Sequence, residues 1–278
     1  MKLTTLTRLK ERFRKTSDMR TKLTLISAAA AVVQLASCNG NPLEDIDYND
    51  PVFHALTETE SGTKTVLGKE DNAGNVPIMW SSGDEIIVTG DSREEACSYY
   101  KTADKNTSAA DFRYDRNKNG NRRTLKKDKW YAFYPSSSYS FSGEEHIMEL
   151  PQKQTYSPDN IGEGAMPMYA VSDDDNLSFR NLCGILRIRL NSLKNRLSIS
   201  RIKIASDKDL SGKIIRYSAQ DGIGYLTSEG SSKASAWLEC PENVVLFSDP
   251  ADFYIVMPPG SHSKFKIQLC GSNGVNFI

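Results

Sequence analysis

One cysteine in this chain lies where its thiol could be acylated. Cys38 closes the sequence Leu35-Ala36-Ser37-Cys38, which follows a basic stretch at residues 20–22 and an apolar run at residues 23–33. Charge, apolar run and small residues in this order are typical of a secretory signal peptide. The run is too short to span a bilayer, which takes about 20 apolar residues. The pattern therefore predicts cleavage between Ser37 and Cys38, with lipid attached to the thiol of Cys38.

The same pattern predicts a membrane as the first partner of the mature chain. Residues 1–38 are interpreted as the signal peptide, with Met19 a second candidate for the first residue because Arg20 follows it directly. Two or three acyl chains, palmitate among them, anchor a protein stably, since each buried methylene contributes about 0.8 kcal/mol. A buried apolar helix of a cytosolic protein is the alternative interpretation of residues 23–33.

Residues 39–62 are interpreted as an acidic tether that leads into a first strand. Glu44, Asp45, Asp47 and Asp50 fall close together in this stretch. Solvated charge near a chain terminus explains such a segment. An acidic signal that directs export to the cell surface is the alternative.

The three histidines give no catalytic or metal-binding pattern. His54, His146 and His262 each lack a Cys, Glu or second His at metal-ligand spacing, and each is expected in a solvated loop. The sequence also lacks the nucleophile elbow, the zinc-protease helix motif and the phosphate-binding loop. We therefore expect no catalytic residues, no metal site, no cofactor and no enzymatic activity.

Two acidic segments resemble cation sites but are better explained as loops. The segment from Asp115 to Gly120 matches the opening of a calcium loop, yet position twelve, where a bidentate carboxylate should close the site, is Lys126. A polar turn rich in Asn and Gly accounts for the same residues. Residues 173–175 are three consecutive aspartates, for which a solvated linker is the simpler interpretation.

Charge and cysteine usage exclude further classes of function. Residues 1–38 contain eight of the 35 Lys and Arg residues and two of the 35 Asp and Glu residues, which leaves the mature chain with 27 basic and 33 acidic residues, a net charge of minus six. No basic surface for nucleic acid is implied.

The widely spaced Cys97, Cys183, Cys240 and Cys270 favour buried thiols that form no disulfide, although export leaves one unassigned disulfide open.

The alternation of side chains after Cys38 predicts an all-β fold. Leu186, Ile188 and Leu190 alternate with Arg187 and Arg189, so one face of that strand should be buried and the other exposed. Similar short runs recur between turn residues at 63–67, 86–89, 130–134, 147–150, 201–204, 253–256 and 265–269. The last is expected to form a hairpin with residues 275–278. No amphipathic helix longer than about ten residues is evident, against roughly one-third helix in an average globular protein.

Seven segments in order resemble landmarks of the fimbrillin-like lipoproteins of the Bacteroidetes. They are Thr63-Lys64-Thr65 with Met79-Trp80-Ser81-Ser82-Gly83-Asp84-Glu85-Ile86, then Tyr131-Ala132-Phe133-Tyr134-Pro135, Leu150-Pro151-Gln152-Lys153-Gln154-Thr155-Tyr156, Phe179-Arg180-Asn181-Leu182-Cys183-Gly184-Ile185-Leu186, Leu210-Ser211-Gly212 and Phe253-Tyr254-Ile255-Val256-Met257-Pro258-Pro259-Gly260. We interpret these residues as core and turn positions. Trp80 and Trp130 should fill the core, and Gly83 and Asp84 should form a turn.

The resemblance implies two tandem transthyretin-like β-sandwich domains, at residues 63–176 and 177–278, behind a lipoprotein signal peptide. It also implies an outer-membrane, surface-exposed protein of a fimbrium (pilus) that serves in adhesion as a structural, anchoring or accessory subunit. Its expected partners are the membrane, other fimbrial subunits joined by strand exchange, and host or bacterial surface ligands.

Two departures from the family pattern and one alternative function accompany this interpretation. No arginine lies between Cys38 and Arg93, which disfavours removal of the first strand by an arginine-specific protease. The chain ends at Ile278 inside an expected strand, so the C-terminal domain is interpreted as truncated or unusually short. The alternative function is an outer-membrane glycan-binding lipoprotein, with Tyr99, Tyr100, Tyr139 and Tyr225 as exposed rings that stack on sugars.

Overall fold

A computed structural model describes residues 50–57, 66–67, 78–90, 96–123, 128–142, 145–193, 196–218, 222–225, 233–272 and 276–277. The predicted signal peptide, the lipidation residue Cys38 and the start of the acidic tether lie outside these ranges.

Alternating apolar and polar residues form strands throughout the described ranges. The strands are β1 (Phe53–Thr57), β2 (Val66–Leu67), β3 (Ile78–Met79), β4 (Glu85–Thr89), β5 (Cys97–Lys101), β6 (Ala109–Tyr114), β7 (Trp130–Tyr134), β8 (Tyr139–Ser142), β9 (Glu145–Leu150), β10 (Lys153–Thr155), β11 (Met168–Ser172), β12 (Asn176–Asn181), β13 (Gly184–Leu190), β14 (Leu197–Ser206), β15 (Gly212–Ser218), β16 (Gly222–Tyr225), β17 (Ser235–Leu246), β18 (Ala251–Met257), β19 (Phe265–Gly271) and β20 (Asn276–Phe277). Helix in these ranges is limited to α1 (Arg116–Asn119) and a 3₁₀ turn at Ser136–Ser138. The all-β prediction is confirmed.

Seven strands close into one sheet in the order β1, β12, β11, β7, β4, β5, β6, and β6 pairs again with β1. An odd number of strands cannot close with antiparallel neighbours alone, so one pair must be parallel. That pair is β1 with β12, with Ala55 opposite Leu177.

The interior of the closed sheet is aromatic. The Trp80 ring lies edge-on to Phe112, Tyr134 and Phe179, at centroid distances of 5.0, 5.4 and 5.1 Å. Its Nε1 donates to the backbone oxygen of Ala55 at 3.2 Å, so the buried indole has no unmet donor. Trp130 is also buried. Both tryptophans therefore fill the core, as the sequence predicts.

Strand β7 is buried on both faces, because the interior of the closed sheet lies on one side and a second sheet packs on the other. The second sheet has the order β16, β15, β9, β8. The ring of His146, in β9, lies 4.8 Å from the ring of Phe133. The hydroxyl of Tyr139 forms a 2.8 Å hydrogen bond with Nδ1 of His146. The predicted solvated loop position of His146 is wrong, since the side chain is 2% exposed and lies within a strand.

A second apolar core lies between a five-stranded sheet and a two-stranded sheet. The larger sheet has the order β10, β17, β14, β19, β20, and the smaller consists of β13 and β18. Buried Ile188, Ile202, Leu238, Phe253 and Ile255 belong to this core. The predicted hairpin of β19 and β20 is confirmed by the pairing of Leu269 with Phe277.

The predicted boundary at residue 176 stays a prediction. Nearly all residues of the first core precede residue 184, and those of the second run from Ile188 to Ile255. Two strands from the earlier part nevertheless pair with later ones: β9 with β15, and β10 with β17 in parallel.

The four cysteines of the described residues form no disulfide, and Cys97, Cys183 and Cys240 are buried. Burial raises the pKa of Cys183 and of Cys240 to about 12, so neither thiol ionises at neutral pH. The favoured prediction of buried thiols without a disulfide is confirmed for these three residues.

Candidate assembly surface

The turn before β4 is held by a buried carboxylate. Gly83 adopts a left-handed φ of 84° in the turn before β4. Asp84 is buried, and its carboxylate accepts the hydroxyl of Tyr134 at 2.8 Å and the backbone N–H of Ser81 at 2.5 Å. Burial and the adjacent Asp84 raise the pKa of Tyr134 well above its usual value. Gly83 and Asp84 therefore form the predicted turn.

The segment that resembled a calcium loop is the start of a short helix. The Asp115 carboxylate accepts the backbone N–H groups of Asn117 at 3.0 Å and Lys118 at 3.2 Å, as an N-cap does. Across the described ranges, no group of three His, Cys, Asp or Glu residues is arranged to hold a metal. None of the helices in those ranges has the length and apolar character that a membrane crossing requires.

One face of the two-stranded sheet is apolar, as the alternation in β13 predicts, and the opposite face is charged at one end and packs Val256 on the first core at the other. Leu186, Ile188 and Leu190 pack on the second core. On the opposite face the Asp252 carboxylate binds Arg187 at 2.6 Å and Arg189 at 2.8 Å. Each arginine retains exposed side-chain area, 36% for Arg187 and 56% for Arg189, so this face carries accessible positive charge.

A glutamine side chain covers part of one edge of this sheet. The Gln154 Nε2 donates to the backbone oxygen of Val256 at 2.8 Å, and its Oε1 accepts the backbone N–H of Val256 at 2.8 Å. Gln154 lies in β10 and is 3% exposed. The amide therefore satisfies both backbone groups of a buried residue of β18 and links the two sheets of the second core.

The contact between Gln154 and Val256 also shows which backbone N–H and C=O groups of β13 point away from β18. In an antiparallel pair, opposed residues alternate between those that bond each other and those that bond outward. Because the backbone groups of Val256 bond Gln154, its partner Ile185 belongs to an outward-facing pair, as does Arg189 four pairs further along. The backbone groups of Ile185 and Arg189 thus face the outer edge of β13, where no strand of the described ranges pairs.

An edge of this kind can accept another strand. β13 has seven residues, and added strands bond through the backbone while their alternate side chains determine specificity. An incoming strand would extend the apolar face of Leu186, Ile188 and Leu190 and would meet Arg189 on the other face. The edge therefore favours a segment that alternates apolar and acidic residues.

The tyrosines named for sugar stacking do not form one exposed group. Tyr99 is fully buried in the closed sheet, so its predicted exposure is wrong. Tyr139 is half-buried against Phe133, and the side chain of Tyr225 lies outside the described part. Tyr100 is 44% exposed. Gln154 belongs to a landmark segment that the sequence places at core and turn positions, but its bonds to Val256 were not predicted, because 102 positions separate the two residues.

Comparison with known proteins gave no match to a protein-family model and no match to a curated protein. Two solved structures from Bacteroides ovatus ATCC 8483 are similar to this chain. One, provisionally assigned as a cell adhesion protein, is 11% identical, with a TM-score of 0.48, over 82% of this chain and 85% of its own. The other, provisionally assigned as an adhesin, is 7% identical, with a TM-score of 0.33, over 83% and 82%.

Proposed function

We propose that this chain is a lipid-anchored surface protein of the outer membrane that serves in adhesion as a structural, anchoring or accessory subunit of a fimbrium. Assembly proceeds by addition of a strand from another subunit. The observation that carries this proposal is the outer edge of β13, a seven-residue strand beside a buried apolar face. The fimbrillin-like order of sequence landmarks supports it independently.

The anchor follows from the sequence around Cys38. Acylation of the Cys38 thiol would leave 14 residues between the anchor and Phe53, the first residue of β1. A fully extended chain of that length reaches at most about 50 Å. The tether therefore keeps the folded part close to the membrane while leaving its surfaces accessible to partners.

Retention of the first strand fits an anchoring or accessory role. β1 lies between β12 and β6, and Phe53 contacts the rings of Tyr99 at 4.8 Å and Trp130 at 5.1 Å. Loss of β1 would open the closed sheet and expose this aromatic core. No arginine lies between Cys38 and Arg93, so an arginine-specific protease has no site at which to remove β1 alone.

The charged groups of the two-stranded sheet would select partner strands by their charge. Asp252 is 12% exposed and holds both arginines in place. Fixed positive charge beside an open edge favours acidic strands and disfavours basic ones. The proposed partners are other fimbrial subunits that supply such a strand, together with host or bacterial surface ligands. We propose no enzymatic activity, cofactor or nucleic-acid partner.

Substitution at Arg189 tests the edge directly. Arg189→Pro removes an outward N–H without removing a bond of the β13–β18 ladder, and proline is tolerated at sheet edges. Arg189→Ala removes the same side chain but keeps the N–H, so it is the matched control. We expect Arg189→Pro to abolish fibres seen by electron microscopy on cells, while Arg189→Ala still forms them.

Both variants should retain the far-ultraviolet circular dichroism of the parent chain. Equal fibre formation by Arg189→Pro and Arg189→Ala would show that the outer edge of β13 is not used. Absence of fibres from cells that express the parent chain with its neighbouring subunits would contradict the fimbrial role itself.

A further inference from the structure

A cleft of about 680 Å³ opens beside the buried Asp84–Tyr134 pair. It is lined by the turn before β4, by α1, by the segment after β7 and by two parts of the segment that follows β10. Its volume falls within the range of small-ligand sites, about 300–1,000 Å³. None of its lining residues belongs to β13 or β18, so the cleft is distinct from the proposed assembly edge.

One wall of the cleft requires glycine. A Cβ atom on Gly162 would lie 2.6 Å from the backbone oxygen of Thr155, a distance that real Cβ contacts do not reach. Gly164 has a left-handed φ of 64°, which L side chains rarely adopt. The loop at 162–164 can therefore approach the end of β10 only with these glycines, which gives the cleft a preformed wall.

The cleft is lined by both hydrogen-bond acceptors and hydrogen-bond donors. Asp84 is held by Tyr134 and Ser81, and Glu85 forms an ion pair with Lys118. The exposed Glu163 also lines the cleft, as do the hydroxyl-bearing residues 136, 137, 155 and 157. Such a surface exchanges several hydrogen bonds with a hydroxylated ligand and offers little to an apolar one.

An aromatic ring also lines the cleft. Tyr156 packs on Phe253 with a centroid distance of 5.0 Å, and its side chain is half-buried. The contact with Phe253 orders the Tyr156 ring before a ligand arrives, so packing a ligand against it would cost little further entropy.

We propose that this cleft binds an oligosaccharide made of neutral or amino sugars. Sugar hydroxyls would donate to the carboxylates of Glu163 and Glu85 and accept from the serine hydroxyls and Lys118, while a sugar ring packs against Tyr156. Among the described residues, the lining has three carboxylates and one ammonium group, a net charge of minus two. Sialylated, sulfated and uronic-acid glycans are therefore disfavoured.

The test measures binding by the whole chain, purified in detergent, on a printed array of neutral, amino and acidic oligosaccharides. Titration calorimetry then gives the affinity for the neutral or amino oligosaccharide with the strongest signal. We expect Glu163→Gln to weaken that affinity about tenfold or more, because a hydrogen bond to a charged acceptor is lost. Glu242→Gln is the matched control, since Glu242 is an exposed carboxylate in β17 outside the cleft, and it should bind as the parent chain does.

Several outcomes would overturn the proposal. The parent chain could fail to bind any oligosaccharide, could prefer acidic glycans, or could bind a lysine-rich peptide in place of sugars. Glu163→Gln and Glu242→Gln could also lose the same amount of sugar affinity. The Arg189→Pro variant separates this site from assembly, because it should lose fibres and keep sugar binding. Loss of both in that variant would show that sugar binding depends on the β13 edge.

Discussion

Gln154 and Val256 exchange two hydrogen bonds of 2.8 Å although 102 positions separate them in the sequence. The amide of Gln154 thereby supplies one donor and one acceptor to a backbone, as a neighbouring strand would. Because Val256 is fully buried, water cannot replace either bond.

Gln154→Leu should therefore lower the stability of the fold. The substitution leaves the N–H and C=O of buried Val256 without partners, and each such group costs about 1–3 kcal/mol. We expect the free energy of unfolding to fall by about 2–4 kcal/mol, measured by urea denaturation. Gln268→Leu is the control on a half-buried glutamine of β19, with a change within about 0.5 kcal/mol. Equal stability of Gln154→Leu and the parent chain would contradict this role of the amide.

Asp207 should make stability depend on pH in the acid range. Its carboxylate accepts the hydroxyl of Ser263 and the backbone N–H groups of Ser263 and Lys264, and the Ser263 hydroxyl is the largest cause that lowers the Asp207 pKa. A lowered pKa in the folded state stabilises the protein above the unfolded-state pKa of about 3.9 and loses that effect as the pH falls.

Comparison of Asp207→Asn with the parent chain measures this effect. The difference in Tm should be largest near neutral pH and should shrink as the pH falls below about 4. The asparagine keeps the size of the side chain, so a difference that stays constant from pH 7 to pH 3 would assign the effect to packing instead of charge.

Cys38→Ser should release the protein from membranes. The hydroxyl cannot take the thioether-linked lipid that the sequence predicts at this position, and anchoring depends on those acyl chains. Metabolic labelling with a fatty-acid probe should vanish in the variant, and the protein should move to the soluble fraction. Cys270→Ser retains the predicted lipid site and should label as the parent chain does. Labelling that persists in Cys38→Ser would contradict the lipid anchor.

Local patterns predicted much of the strand content. The alternation of Leu186, Ile188 and Leu190 with two arginines determined which face of β13 is buried, because the side-chain period of a strand is two. The aromatic run at Trp130–Tyr134 predicted β7 to its observed bounds. These successes concern residues whose burial follows from their immediate neighbours.

Positions that depend on distant pairing were not predictable in the same way. His146 is buried because β9 lies over Phe133, and Tyr99 is buried because the seven-stranded sheet closes around it. The outer edge of β13 depends on which strands fail to pair, a property of the whole topology. The cleft combines parts of the chain from Gly83 to Gly164 that no local motif connects.

The position of β1 determines how the molecule would carry mechanical load. The hydrogen bonds of β1 to β12 and β6 run across the strand axis, so a force applied at Phe53 along that axis would load both ladders. Tension is then shared by both ladders at once, in shear, instead of opening them one bond at a time. The parallel pair that closes the sheet thus makes β1 resistant to extraction by a force directed along it.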